Sequence, residues 1–179
     1  MKREFGVRAL AAVDWRTDVG PQAQVIWDSL EFRTPAILQS LERLSDDQLR
    51  WQPPNAANSL AWLLWHIPEV EDNWVRDKLL NLPRRYPFGL SVKTRQAGDW
   101  PSKSALLSYF HEVRALTRDR LERTPEQDFD RTVVDEHFGS ITVRQLWGGV
   151  VTSCAWHGGQ IVLIVNRLLP RGGLESGTR

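Results

Sequence analysis

At 179 residues, 41% hydrophobic and 25% charged, with a formal net charge of +1, the chain reads as one globular domain long enough to bury a substantial core. The balance offers no basic stripe for nucleic acid: Lys2-Arg3, Arg84-Arg85 and the arginines between 167 and 179 are short clusters of solvated surface. A lone cysteine, Cys154, excludes an internal disulfide framework and fits a reducing cytoplasm, while the amino end lacks a secretory h-region and no apolar run approaches the roughly 18 residues of a membrane span.

In chain order, residues 4–15 suit a short helix. The first bundle helix is expected over 21–44, with Pro21 in its first turn and Ile26, Leu30, Ile37, Leu41 and Leu44 on one face. Pro35 should kink or interrupt it near 32–34. Ser45-Asp46-Asp47-Gln48 then has the pattern of a short capped turn.

The second helix starts with Asn58 or Ser59 as N-cap and runs to about Leu80, with Leu60, Leu63, Leu64, Ile67, Val70 and Trp74 as its apolar stripe and Pro68 as a bend. Residues 81–100, rich in Pro, Gly, Arg and Lys, form a long connection that permits a crossover. The third helix opens after Trp100-Pro101-Ser102, carries Leu106, Tyr109, Phe110, Val113, Leu116 and Leu121, and ends by Thr124-Pro125. Residues 129–140 read as a small β-hairpin or an ordered loop.

The fourth helix spans about 142–169 and is stopped by Pro170 and Gly172-Gly173. Its stripe is Val143, Leu146, Trp147, Val150, Cys154, Ile161, Ile164, Val165 and Leu168. The expected architecture is therefore all-α, a four-helix bundle over residues 1–170 with a long crossover and a disordered tail over 171–179. Nine tryptophans suggest an aromatic core, a partner surface, or both.

Of the four histidines, His157 falls in register with Val150, Cys154, Ile161 and Ile164, and His66 lies beside Leu63 and Val70. Both should point inward from different helices. His111 lies nearer a polar face, and His137 is in the loop before the last helix. Two inward histidines on different helices can start a metal site in a bundle core, suited to Zn, Ni, Cu or Fe, but a histidine near an apolar face is more often a hydrogen-bonded core residue. A third ligand from the last helix belongs one turn before His157, where Ser153 stands. Gly158-Gly159 costs about 1 kcal/mol per glycine relative to Ala in a helix. It reads as tight packing or as close approach of a ligand. Gln160 is a candidate to bind substrate or to orient a neighbour, and Cys154 reads as an inert buried thiol.

The stretches Ser59-Leu60-Ala61-Trp62-Leu63-Leu64-Trp65-His66-Ile67 and His157-Gly158-Gly159-Gln160-Ile161 resemble the two signature segments of the DinB-like/YfiT-like superfamily. Leu44-Ser45-Asp46-Asp47-Gln48-Leu49-Arg50-Trp51-Gln52-Pro53 and Gly139-Ser140-Ile141-Thr142-Val143-Arg144-Gln145-Leu146 are similar to its linking segments. The resemblance implies a four-helix bundle, usually a homodimer, holding a divalent metal on three side chains, commonly histidines. His66, position 153 and His157 match those three places, and Ser153 departs from the pattern; Glu69, Glu71 or His137 are the substitutes at hand. Characterised members include thiol S-transferases and a thiol-dependent isomerase. Two functions follow as expectations: a zinc- or nickel-dependent enzyme acting on a small-molecule substrate with a low-molecular-weight thiol, or a metal-free bundle that binds a small molecule or serves in stress response.

Overall fold

The computed structural model describes residues 19–54, 57–95, 100–136 and 138–170. The helix expected at 4–15, the tail 171–179 and His137 lie outside the described residues.

Helix α1 (Pro21–Leu41) begins with Pro21 at its first position, where the missing N–H is no loss. Pro35 does not interrupt it. The helix continues because its inner face, Ile26, Trp27, Leu30, Ile37 and Leu41, is buried, and packing outweighs the lost hydrogen bond. It ends at Leu41, three residues before the expected Leu44. Helix α2 (Asp46–Arg50) is the capped turn: Gln48 N–H donates to Ser45 Oγ at 3.2 Å and Ser45 N–H donates to Gln48 Oε1 at 3.0 Å, a reciprocal capping box.

Helix α3 (Leu60–Trp74) is capped by Ser59, whose Oγ accepts from Trp62 N–H at 3.2 Å. Pro68 lies inside it without breaking it, and a π-helical turn, Val75–Leu79, carries the chain on. Helix α4 (Lys103–Glu122) follows the long connection and is capped by Ser102. A short 3₁₀ turn then leads into the hairpin β1 (Thr132–Asp135) and β2 (Gly139–Thr142), antiparallel with Val133 opposite Ile141. Helix α5 (Val143–Leu163) opens with a second capping box, Thr142 and Gln145, and ends in a π turn, Ile164–Leu168.

The four long helices close a ring in which α1 packs on α5 and α4, and α3 packs on α5 and α4. The protein is therefore a mostly helical bundle, with the hairpin as an accessory. Trp27, Trp65 and Trp147 fill its core, whereas Trp156 is 69% exposed. The tryptophans are thus mostly the bundle's own packing rather than one outer face. Among the described residues one helix, Val143–Leu168, is long and apolar enough by length and composition to cross a membrane, which corrects the expectation of none. The expectation failed because Gly, Ala and Ser interrupt its apolar residues without adding charge; here it forms one wall of the bundle.

A buried polar layer lies between α3 and α4. Arg114 reaches Glu71 at 3.3 Å, Glu31 at 3.7 Å and the Cys154 Sγ at 3.7 Å, and Thr117 donates to Glu71. The carboxylate of Glu71 keeps Arg114 charged against the penalty of burial. Burial pushes the Cys154 thiol up, so it stays protonated, as expected of an inert core cysteine.

Candidate functional site

His66 projects from α3 and His157 from α5, and their rings meet edge to face with centroids 4.8 Å apart at 82°. Trp62, one turn before His66, lies 4.3 Å from the His66 ring and 6.0 Å from that of His157. It forms an aromatic backing to the pair. Ser153, one turn before His157, lines the same cavity as both histidines. The structure therefore brings together the three positions singled out in the sequence.

That cavity has a volume of about 570 Å³. Its walls follow helical spacing. From α3 come His66, Glu69, Val70, Asn73 and Trp74, and from α5 come Gly149, Thr152, Ser153, Trp156 and His157. The long connection adds Ser91 and Lys93, and the hairpin region adds Asp135 and Phe138. Gly149 is required here, because a Cβ at that position would run into the Trp74 ring.

Both imidazoles are neutral at pH 7. Burial lowers the His66 pKa to about 3, with the neighbouring His157 and the Lys93 ammonium adding to the effect. His157 is also lowered, again first by burial and also by Lys93, with its contact to Gln160 acting the other way. His66 Nδ1 is buried and has no hydrogen-bond partner among the described residues. The His157 Nδ1 lies 3.5 Å from Gln160 Oε1, a long contact that biases the ring's orientation. Gln160 thus stands behind His157 and is not among the residues lining the cavity.

Of the substitutes considered for a third metal ligand, His137 lies outside the described residues, and the two carboxylates are engaged elsewhere. The Glu69 carboxylate accepts from Ser91 Oγ at 2.6 Å and from Val92 N–H at 3.0 Å. Glu71 is committed to Arg114 and Thr117 in the polar layer. His111 is exposed beside Phe110 and is not among the cavity-lining residues. Among the described residues, no three His, Cys, Asp or Glu side chains converge as metal ligands. Two neutral imidazoles and a hydroxyl do not fit a catalytic three-ligand metal site, for which three strong protein donors are usual.

The Gly158-Gly159 pair divides. Gly158 is buried, and a Cβ there would meet the Ile37 side chain of α1, so it is a packing glycine. Gly159 faces open space. Sequence reasoning missed Lys93, Trp74, Phe138 and Trp156 as cavity residues. The helical spacing 149, 153, 156 on α5 and 66, 70, 74 on α3 held the signal for the two tryptophans. Nothing in the local sequence places a residue of the long connection in the cavity with His66.

The protein is thus a four-helix ring in which α3 and α5 each contribute a histidine to the lining of one cavity. The chain belongs to the DinB superfamily, whose family model matches residues 29–161. Its fold is similar to that in a crystal structure of a conserved protein from Enterococcus faecalis, with a TM-score of 0.65 and 17% identity over 80% of this chain and 94% of that one. No curated protein shows significant similarity to the chain.

Proposed function

We propose that this chain is a small-molecule-binding member of the DinB superfamily that works without a resident metal. The polar floor of its cavity is the pair of neutral imidazoles, His66 and His157, together with the Ser153 hydroxyl. The observation that carries this reading is the donor set. Ser153 holds the place where a third imidazole would be needed, and the nearby carboxylates of Glu69 and Glu71 are tied into bonds with the protein itself. A cavity of about 570 Å³ falls within the usual range for a small ligand. The single buried thiol suits a cytoplasmic setting.

Incubation with zinc or nickel, dialysis and metal analysis test the proposal. The wild type should retain well under one equivalent, and Ser153→His should retain close to one. A wild type that keeps one equivalent, lost in His66→Ala, overturns it.

A second reading keeps the metal, zinc or nickel, and with it thiol transfer or isomerisation. It is favoured by the buried, unpartnered Nδ1 of His66, a polar atom that normally costs about 1–3 kcal/mol to leave unsatisfied. The metal analysis separates the two readings directly.

We carry the expected homodimer as a proposal too, on the outer face of α5. Only 28% of that helix's most apolar stretch is buried within the chain, and Leu163 is exposed along it.

A further inference from the structure

The charges around the cavity point to the chemistry of its ligand. Arg84 is spent: its guanidinium donates to Asp77 at 3.0 Å and to Glu136 at 2.9 Å. Asp135 accepts from Phe138 N–H at 3.0 Å and lies 3.9 Å from Lys78. Glu69 is 4% exposed and engaged with the Ser91–Val92 backbone and hydroxyl. Lys93 stands apart from these. It lines the cavity and is exposed, and its ammonium has no carboxylate partner among the described residues. It lines the same cavity as His66 and His157.

Glu69 explains how Lys93 comes to be there. The buried carboxylate grips residues 91 and 92, and the next residue, Lys93, lines the cavity that both histidines line. Lining the cavity with Lys93 are further groups able to donate: the imidazoles of His66 and His157 and the Ser153 hydroxyl. Such an array satisfies an anionic group, since charge-assisted hydrogen bonds are about twice as strong as neutral ones.

The rest of the wall is aromatic. Trp74 and Phe138 meet edge to face with centroids 6.3 Å apart, and Phe138 and Trp156 are 65% and 69% exposed. Large aromatics left this open at a cavity mouth suit a flat apolar body.

We infer that the cavity takes a small organic anion, a carboxylate on an aromatic or otherwise flat apolar body, with the carboxylate between Lys93 and the His66–His157 pair and the apolar body against Trp74, Phe138 and Trp156. This rests on the small-molecule reading of the same cavity.

Calorimetric titration of the EDTA-dialysed protein with 2-naphthoate and with 2-naphthalenemethanol, its uncharged analogue of similar shape, tests it. Naphthoate should bind at least fivefold more tightly than the alcohol. Lys93→Met should reduce that preference to within twofold without weakening the alcohol, and 0.5 M NaCl should narrow it in the wild type. Equal binding of both compounds, or a preference untouched by Lys93→Met, overturns the anion inference and leaves the cavity reading standing. Failure of both compounds to bind at millimolar concentration overturns the cavity reading and the inference with it.

Discussion

Acidification from pH 8 to pH 5 should destabilise the protein, mainly through His66. In the unfolded chain this imidazole takes a proton near 6.5, and in the folded chain only near 3. The unfolded state therefore binds more protons throughout the interval, so stability is complete above pH 6.5 and is lost as pH falls below it. At pH 5 the medium lies 1.5 units below the unfolded value, and each unit corresponds to 1.36 kcal/mol, so the loss is about 2 kcal/mol. For a chain of this size that is a fall in Tm of about 4–8 °C. The physical cause is that a cation at this position would be buried, within 4.8 Å of a second imidazole and within the field of Lys93.

Urea unfolding of wild type and His66→Gln at both pH values measures the effect. Glutamine changes the absolute stability, so the comparison is of pH slopes. The wild type should lose about 2 kcal/mol more than the variant between pH 8 and pH 5. Equal losses in the two proteins would refute the claim that His66 is held neutral by burial, and would mean that its ring is solvated in solution.

The glycines of α5 separate by the space around them. Gly148→Ala and Gly159→Ala, which meet nothing, should each stabilise the isolated chain by about 0.5–1 kcal/mol in thermal melts. Gly149→Ala should destabilise it and disturb the cavity, because Trp74 must move; equal melting of all three variants would contradict the packing described. Glu69→Ala should cost about 1–3 kcal/mol by leaving the Val92 N–H and Ser91 hydroxyl unpaired, and should also erase the preference for naphthoate as Lys93 loses its anchor. Leu163→Asp should shift light scattering from dimer to monomer at micromolar concentration; a wild type that is monomeric under these conditions removes the dimer proposal.

The helices were legible because their signals are local. Ser45 with Gln48 and Thr142 with Gln145 mark capping boxes three residues apart, and the stripes on α3, α4 and α5 repeat at the helical period. Pro35 as a break misled because a proline's cost is local, whereas the compensating burial of Leu30 and Ile37 belongs to the assembled ring. The histidine pair was half legible. Periodicity turned both rings inward, and their contact depends on α3 and α5 being neighbours.

The chemistry of the cavity was less legible still, and for a specific reason. The cation on which the anion inference rests is Lys93, in the long connection between α3 and α4, and nothing about a lysine in a polar stretch marks it as lining one cavity with a histidine 27 residues earlier. The link is Glu69. In the sequence it was one of the substitutes at hand for the missing third metal ligand. The structure gives that carboxylate another task, receiving the Ser91 hydroxyl and the Val92 N–H. One residue thereby withdraws from the donor set a metal would need and positions the cation an organic anion would need. The two functional readings are thus opposed at a single side chain. A variant that frees the carboxylate, Ser91→Ala, should weaken binding of 2-naphthoate; if it instead leaves naphthoate affinity unchanged, Glu69 is not what places Lys93.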